Sequence, residues 1–184
     1  MKIVKRDGRL VEFDPGRIYK VCTAAGATEE IAADVASYVA ARVHEGMTTD
    51  EIRRLVASRL EEEDPIAAEA YRFYDRLVKG RITLIDGKTL VVKQGTIYMG
   101  GRAVTAPPAP LRGINGFKET LTELEEDLRY GVPRRLVAAR LRALQAAVDA
   151  VGLEGGERDK ALEMIDTFRR SLGWPPLRRG RATI

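Results

Sequence analysis

Two adjacent cations, Lys5 and Arg6, precede an Asp7-Gly8 pair near the start of the chain. Asp-Gly between short apolar stretches is a strong signal for a β-hairpin, because both residues tolerate the positive φ of a two-residue turn. The segment 3–14 therefore predicts a two-stranded ribbon that carries two cations just before its turn. Such a ribbon would suit a polyphosphate ligand, whereas the same residues also fit a plain charged hairpin. The residues that follow decide between these interpretations.

Four helices are predicted after the ribbon. Asp14 is a favourable N-cap and Pro15 fits the first helical position, and Gly26 is expected to end that helix. Apolar residues then recur at helical spacing in three further segments. The predicted helices cover residues 15–25, 28–44, 49–62 and 65–79. The short connections between them favour a compact four-helix bundle, with the hairpin covering its end.

Five short motifs occur along the ribbon and these helices. They are Val4-Lys5-Arg6-Asp7-Gly8, Phe13-Asp14, Arg17-Ile18, Thr48-Thr49-Asp50-Glu51-Ile52 and Ala70-Tyr71-Arg72-Phe73-Tyr74. With these motifs, residues 1–80 resemble the ATP-cone domain, the nucleotide-sensing module of ribonucleotide reductases and of the bacterial reductase-repressor family. The resemblance covers less than half of the chain.

The resemblance implies that ATP or dATP, with Mg²⁺ as a companion ion, binds under the hairpin at the end of the bundle. Lys5 and Arg6 match the family's phosphate-contacting pair, and Ile3 and Val4 match the strand that lines the base. Asp14 and Arg17 match polar positions near the base and the phosphates, and Thr49 matches a threonine at the phosphates. Arg53 matches a position that is histidine in one form of the reductase. On the last helix, Arg72 is the matched position, with Arg76 and Lys79 nearby. Arg can grip a phosphate through two hydrogen bonds, while Lys acts as a point charge.

No Walker A sequence occurs in the chain, so the sequence favours nucleotide binding for sensing over hydrolysis.

A second module is predicted over residues 81–184. Residues 81–106 read as a small antiparallel β-meander, with turns at Asp86-Gly87-Lys88, at Gly95 and at Gly100-Gly101, followed by a stiff linker at residues 107–110. Helices are predicted at 117–130, 133–151 and 157–172. The whole chain is thus α+β and mostly α, with domains at 1–80 and 81–184. No family is identified for the second module.

Charge differs between the two modules. Residues 1–80 carry 13 Lys and Arg against 15 Asp and Glu, whereas residues 81–184 carry 18 against 12. The second module is therefore the part expected to meet an anionic partner. Its candidate DNA contacts are Arg134, Arg135, Arg140 and Arg142 and the tail residues Arg178, Arg179 and Arg181. Pairing of these arginines with the acidic helix 117–130 is the competing interpretation.

The single cysteine, Cys22, excludes an intramolecular disulfide and a multi-cysteine zinc site. The single histidine, His44, leaves no second imidazole for a histidine-based metal site. No apolar run or leader pattern indicates a membrane span or a signal peptide, so a cytoplasmic location is expected. Abundant Arg, Glu, Ala and Val fit a thermophile, although base composition of the genome would give a similar bias.

Three outputs are consistent with a nucleotide-sensing first module. The first is a transcriptional regulator, although the four-cysteine zinc ribbon that precedes the cone in the reductase repressors has no counterpart here, which weighs against direct DNA binding. The second is an accessory protein, an allosteric regulator that controls an enzyme by contact. For a regulator of either kind, the resemblance implies that nucleotide acts through homo-oligomerisation. The third is an enzyme on a nucleotide or phosphorylated substrate with the cone as its regulatory domain.

Overall fold

The computed structural model describes residues 1–83, 89–93, 96–99, 102–103 and 111–176. The predicted turns at 86–88, 95 and 100–101, the linker at 107–110 and the basic tail from residue 177 lie outside these residues. The described part is mostly helical, with a two-stranded antiparallel sheet at the N-terminus, as predicted. Every helix in this described part is too short or too polar to span a membrane.

The N-terminal hairpin pairs β1 (Lys2–Val4) with β2 (Leu10–Glu12). Its loop is longer than the Asp-Gly pair predicts, because Lys5 pairs with Arg9 and the carbonyl of Lys5 accepts a hydrogen bond from the N–H of Gly8 at 2.8 Å. Gly8 takes the left-handed conformation, at φ 82°, as in a three-residue loop that ends in a bulge. Arg6 therefore lies inside the loop rather than before it.

Four helices follow the hairpin, each with an N-cap whose side chain accepts a backbone N–H. They are α1 (Pro15–Ala25), α2 (Glu29–Ala40), α3 (Thr49–Glu63) and α4 (Pro65–Lys79), capped by Asp14, Thr28, Thr48 and Asp64. α2 ends at Ala40 rather than at residue 44. The chain turns there, with the carbonyl of Val39 accepting from Arg42 and Val43, and then passes alongside β1.

In the described residues after α4, four short strands pair antiparallel in chain order. They are β3 (Arg81–Thr83), β4 (Thr89–Lys93), β5 (Thr96–Met99) and β6 (Arg102–Ala103). The chain then returns to the end of α4, where the N–H of Leu111 donates to the carbonyl of Leu77 at 2.9 Å. This bond places the start of the next helix at the last turn of α4.

The C-terminal part contains α5 (Gly113–Arg129), α6 (Arg134–Ala147) and α7 (Glu157–Ser171). α5 begins before the predicted position 117, because Leu111 is buried and packs against Gly116 in the first turn. α6 ends before the predicted position 151, in turns that lead to Gly152 at φ 61°.

One continuous cluster of buried apolar side chains joins the two parts of the chain. α6 packs along α4 and also touches α1, while α5 and α7 cover the outer side of α6. Leu141 and Leu144 of α6 are fully buried in this cluster together with Cys22 of α1 and Leu60 of α3. The C-terminal helices are thus packed directly on the helices that follow the hairpin.

Candidate functional site

The hairpin is attached to the beginning of α3 through the free edge of β1. The N–H of Gly46 donates to the carbonyl of Lys2 and the N–H of Val4 donates to the carbonyl of Met47, each at 2.9 Å. Val4 also forms a parallel bridge with Thr48. Because Lys5 comes directly after Val4 and α3 begins directly after Thr48, the cationic end of the hairpin lies beside the N-terminus of α3.

Lys5 is half-buried and Arg6 is exposed at this end of the hairpin. Arg9, which directly follows the loop, is neutralised by Asp7, since its Nε lies 2.6 Å from Asp7 Oδ2. Arg9 also holds the pKa of Asp7 below its ordinary value, through a backbone and then a side-chain hydrogen bond. By contrast, no ion pair or side-chain hydrogen bond to Lys5 or Arg6 is present within the described residues. The two cations are thus available to an anion.

The N-terminus of α3 is closed by a capping box. The hydroxyl of Thr48 accepts from the N–H of Glu51 at 3.2 Å, and Glu51 Oε2 accepts from the N–H and the hydroxyl of Thr48 at 2.8 and 2.6 Å. These bonds from Thr48 hold the pKa of Glu51 below its ordinary value. Asp50 and Glu51 make this first turn acidic, so a phosphate here requires the neighbouring cations to offset them.

Arg53 supplies a cation one turn beyond Thr49, on the same side of α3. Its Nη2 is paired with Oδ1 of Asp75 on α4, and its Nη1 lies 3.8 Å from Asp50 Oδ1 in the first turn. The side chain of Arg53 is 20% exposed and that of Asp75 only 7%. Asp75 therefore fixes the guanidinium from the buried side, while the other edge of the guanidinium faces the N-terminus of α3.

Ile3 and Val4 lie in β1, at the joint between the hairpin and α3, and Ile3 is buried in the core. Together with Lys5, Arg6, Thr49 and Arg53, they form the part of the predicted site that the structure brings together.

Asp14 and Arg17 lie elsewhere, at the start of α1. The N–H of Phe13 donates to the carbonyl of Met1, which places this end of the hairpin about 13 Å of strand away from Lys5. Asp14 accepts from the N–H of Gly16 at 2.9 Å as the N-cap, and its Oδ2 lies 3.7 Å from Arg17 Nε. Both side chains are exposed and are engaged with each other.

Arg72 is also placed apart from the hairpin. Its guanidinium pairs with Glu61, near the end of α3, and with Glu69 at 3.2 Å, and its side chain is only 12% exposed. Arg76 donates two bonds of 2.9 Å to Glu123 of α5, and Lys79 is exposed at the end of α4. Each of these two arginines is held by carboxylates before any ligand binds.

One of the four candidate DNA-binding arginines, Arg140, is half-buried between helices, whereas Arg142 is exposed. Arg140 pairs with Asp127 of α5 at 2.6 Å, as the competing interpretation predicts, and also with Glu69 of α4 at 2.8 Å. Arg142 donates to the carbonyl of Ala25 at the end of α1. Arg134 and Arg135 are exposed, and Arg134 donates to the carbonyl of Leu172 and lies over the ring of Trp174.

Sequence reasoning missed Asp75, although a signal was present. Asp75 lies on α4 among the inward residues Tyr71, Tyr74 and Leu77, and an acid on an apolar face predicts a buried cationic partner. Glu123 carried no comparable signal, because α5 contains several acidic residues and the sequence does not distinguish Glu123 from the others. Within the described residues, no group of three or more His, Cys, Asp or Glu side chains could hold a metal ion.

Comparison with protein families assigns the first part of the chain. Residues 1–79 match the family model of the ATP cone domain, which confirms the resemblance. ATP cone domains bind ATP or dATP, and their presence implies a nucleotide-sensing regulatory role. No curated protein and no solved structure matches the chain, so the family assignment rests on these 79 residues.

Proposed function

We propose that this protein is an allosteric regulator that binds ATP or dATP, with or without Mg²⁺, between the loop end of the hairpin and the N-terminus of α3. The observation that carries this proposal is the pair of cations Lys5 and Arg6, which lie beside the start of α3. Their side chains make no ion pair or hydrogen bond among the described residues. A helix N-terminus offers backbone donors to a phosphate. Lys5, Arg6 and Arg53 supply the positive charge.

Arg53 is the residue through which a bound phosphate would affect α4 and the C-terminal helices. Its guanidinium has five donors, so it can keep its bond to Asp75 while the edge that faces Asp50 turns to a phosphate oxygen. Any shift of Arg53 acts on Asp75, in the last turns of α4. The next residue, Arg76, holds Glu123 of α5 with two hydrogen bonds. Adjacent residues of α4 thus face the nucleotide site and the C-terminal helices.

The output we propose is a change in association between copies of this chain. A ligand shifts such an equilibrium only through different affinities for its two states, and the Asp75–Arg76 step supplies a route by which occupancy alters the surface formed by α5 and α6. DNA binding is the alternative output, with Arg134, Arg135 and Arg142 as its exposed candidates. Arg140 is neutralised between helices by Glu69 and Asp127, which removes one cation from the candidate DNA contacts and favours regulation by protein contact.

Calorimetric titration with ATP, dATP and ADP tests the site. We expect Lys5→Ala/Arg6→Ala to weaken ATP binding by at least about tenfold, since each charge-assisted bond to phosphate contributes roughly 1.5–3 kcal/mol. The matched control is Lys118→Ala/Lys160→Ala, which removes the same charge from exposed positions on α5 and α7 and should bind ATP as the parent protein does. Equal ATP affinity in both double variants would contradict the proposed site.

Light scattering with and without ATP tests the output. The proposal requires the molar mass to change with nucleotide in the parent protein and to stay constant in Lys5→Ala/Arg6→Ala. An unchanged mass in the parent, combined with a salt-dependent shift of mixed duplex DNA, would replace regulation by association with regulation at DNA.

A further inference from the structure

A second concave site lies where α1, α4 and α6 meet, so the cone and the C-terminal helices form it jointly. Its volume is about 240 Å³, near the lower end of small-molecule sites. Five alanines from the three helices make up most of its wall, and Val21, an exposed apolar residue, stands at its edge. Small side chains on all three helices leave a space that larger ones would fill.

The polar groups of this cavity share one chemical property. They are the ammonium of Lys20 and the hydroxyls of Tyr71 and Tyr74, all of which can donate hydrogen bonds, and no carboxylate lines the cavity. No hydrogen-bond partner for any of these three groups is found in the part of the chain that the structure describes. An incoming molecule would therefore meet unpaired donors set in an apolar wall.

Tyr71 is the most informative of the three. The residue is 8% exposed, yet none of the fully buried side-chain oxygens or nitrogens in the described part lacks a partner. Since the Tyr71 hydroxyl has no partner among the described residues, it must keep some accessible surface, and Tyr71 is one of the residues that line the cavity. Burial raises the pKa of Tyr71 above its ordinary value and also raises the pKa of Tyr74, so both hydroxyls keep their protons.

We propose that this cavity binds a small organic acid with a flat or compact apolar body. The body would lie against the alanines, and the carboxylate would accept hydrogen bonds from the unpaired donors. A triphosphate does not fit this chemistry, because it would require several cations where the cavity offers only Lys20. The site is therefore separate from the nucleotide site at Lys5 and Arg6, and its test does not depend on nucleotide binding.

Occupancy would have a structural consequence, because Lys20 and Tyr71 belong to the cone whereas Ala143 and Ala146 belong to α6. A ligand held by both surfaces binds only when α6 is seated on α1 and α4. Binding therefore stabilises that arrangement by mass action.

The probe is 2-naphthoate, with the neutral 2-naphthamide as its uncharged counterpart, titrated calorimetrically into the full chain. We expect naphthoate to bind in the micromolar to millimolar range and naphthamide at least about tenfold more weakly. Tyr71→Phe keeps the ring and removes the donor, so it should weaken naphthoate binding by about tenfold, the equivalent of ~1.4 kcal/mol. Ala146→Leu, at a half-buried lining position, should block the cavity and abolish binding while circular dichroism shows the native helix content.

Lys5→Ala/Arg6→Ala is the control that separates the two sites, and it should bind naphthoate as the parent does. The proposal is overturned if naphthoate fails to bind at millimolar concentration, or if naphthamide binds equally well. It is also overturned if a folded Ala146→Leu protein retains the parent's affinity for naphthoate.

Discussion

Arg53 of α3 and Asp75 of α4 form an ion pair at the end of the cone that carries the hairpin. The side chain of Asp75 is 7% exposed and that of Arg53 is 20% exposed, so the pair is largely withdrawn from water. The same arginine lies one turn from Thr49, at the proposed phosphate position. One residue thus contributes to the packing of α3 on α4 and is also part of the proposed anion site.

Removing Arg53 should leave the Asp75 carboxylate buried without its cation. We expect Arg53→Ala to lower the free energy of unfolding by about 3 kcal/mol, the lower part of the range for breaking a buried pair, because Arg53 is partly exposed. Arg54→Ala, which changes an exposed arginine on the same helix, should stay within about 0.5 kcal/mol of the parent. Urea unfolding followed by circular dichroism measures both. Equal losses in the two variants would show that Asp75 does not depend on Arg53.

The pair Arg76–Glu123 should couple the cone to α5. Its two 2.9 Å bonds join residues on different parts of the chain, with side chains 20% and 38% exposed, and Arg76 also lies 4.3 Å from the centre of the Phe73 ring. A double-mutant cycle over Arg76→Ala and Glu123→Ala should give an interaction energy of about 1–2 kcal/mol.

The comparison pair for this cycle is Glu125–Arg129 on the exposed face of α5, with side chains 56% and 70% exposed. Its interaction energy should be only about 0.3–0.5 kcal/mol. The same interaction energy in the two cycles would contradict the prediction that Arg76–Glu123 couples the two parts of the chain more strongly than an exposed pair does.

Local signals in the sequence predicted much of the cone. Asp14-Pro15 and Asp64-Pro65 mark helix starts because an acceptor side chain and a proline suit those positions whatever the tertiary context, and α4 begins and ends as predicted. The hairpin was also predicted, but its loop length was wrong, because the Asp7 side chain bonds Arg9 and a three-residue loop results.

Contacts between distant segments could not be read from the sequence. The pairing of Arg140 with the acidic helix was predicted from charge, yet its second partner, Glu69, is 71 residues away, and many acidic residues on α3 and α4 offer the same charge. The attachment of β1 to residues 46–48 likewise could not be predicted from the sequence. Backbone groups make these hydrogen bonds, so the residue types carry no signal for them. The end of α2 was predicted at residue 44 because the apolar periodicity continues to Val43, although the helix ends at Ala40.

Gly26 should contribute to stability through its left-handed backbone and through the space that it leaves for the Arg142 side chain of α6. It ends α1 at φ 98°, and a Cβ at this position would lie 1.6 Å from Arg142 Nη1. Gly26→Ala should therefore cost about 1–2 kcal/mol for the left-handed backbone and a smaller further loss, because the exposed Arg142 side chain can move aside when it gives up its 3.3 Å bond to the carbonyl of Ala25.

Gly131 provides the matched control for this substitution. Its φ is 85°, and nothing lies within 4 Å of a Cβ built there, so Gly131→Ala should incur the backbone cost alone. The extra loss in Gly26→Ala should shrink when Arg142→Ala is added to both proteins. Thermal unfolding of the four variants measures this difference, and equal losses at Gly26 and Gly131 would contradict the role of Arg142.

Glu69 should make stability depend on pH in the acid range. It accepts from Arg140 Nε at 2.8 Å and from Arg72 Nη2 at 3.2 Å. Burial raises the pKa of Glu69, but the hydrogen bonds and charges of Arg140 and Arg72 outweigh burial and hold the pKa below the ordinary value of 4.5. Because the folded pKa lies below the unfolded one, Glu69 contributes stability above the unfolded value, and this contribution is lost as the pH falls through the folded pKa.

The measurement is the difference in the free energy of unfolding between the parent and Glu69→Gln, obtained from urea unfolding at several pH values. The difference should be constant from neutral pH down to about pH 5 and should then shrink, since only the parent carries the titrating group. Glu62→Gln, which changes an exposed partner of Arg59, should give a difference of about 0.5 kcal/mol or less throughout. A parent-to-Glu69→Gln difference that grows as the pH falls would mean that burial dominates at Glu69 and that the two arginines do not stabilise its charge.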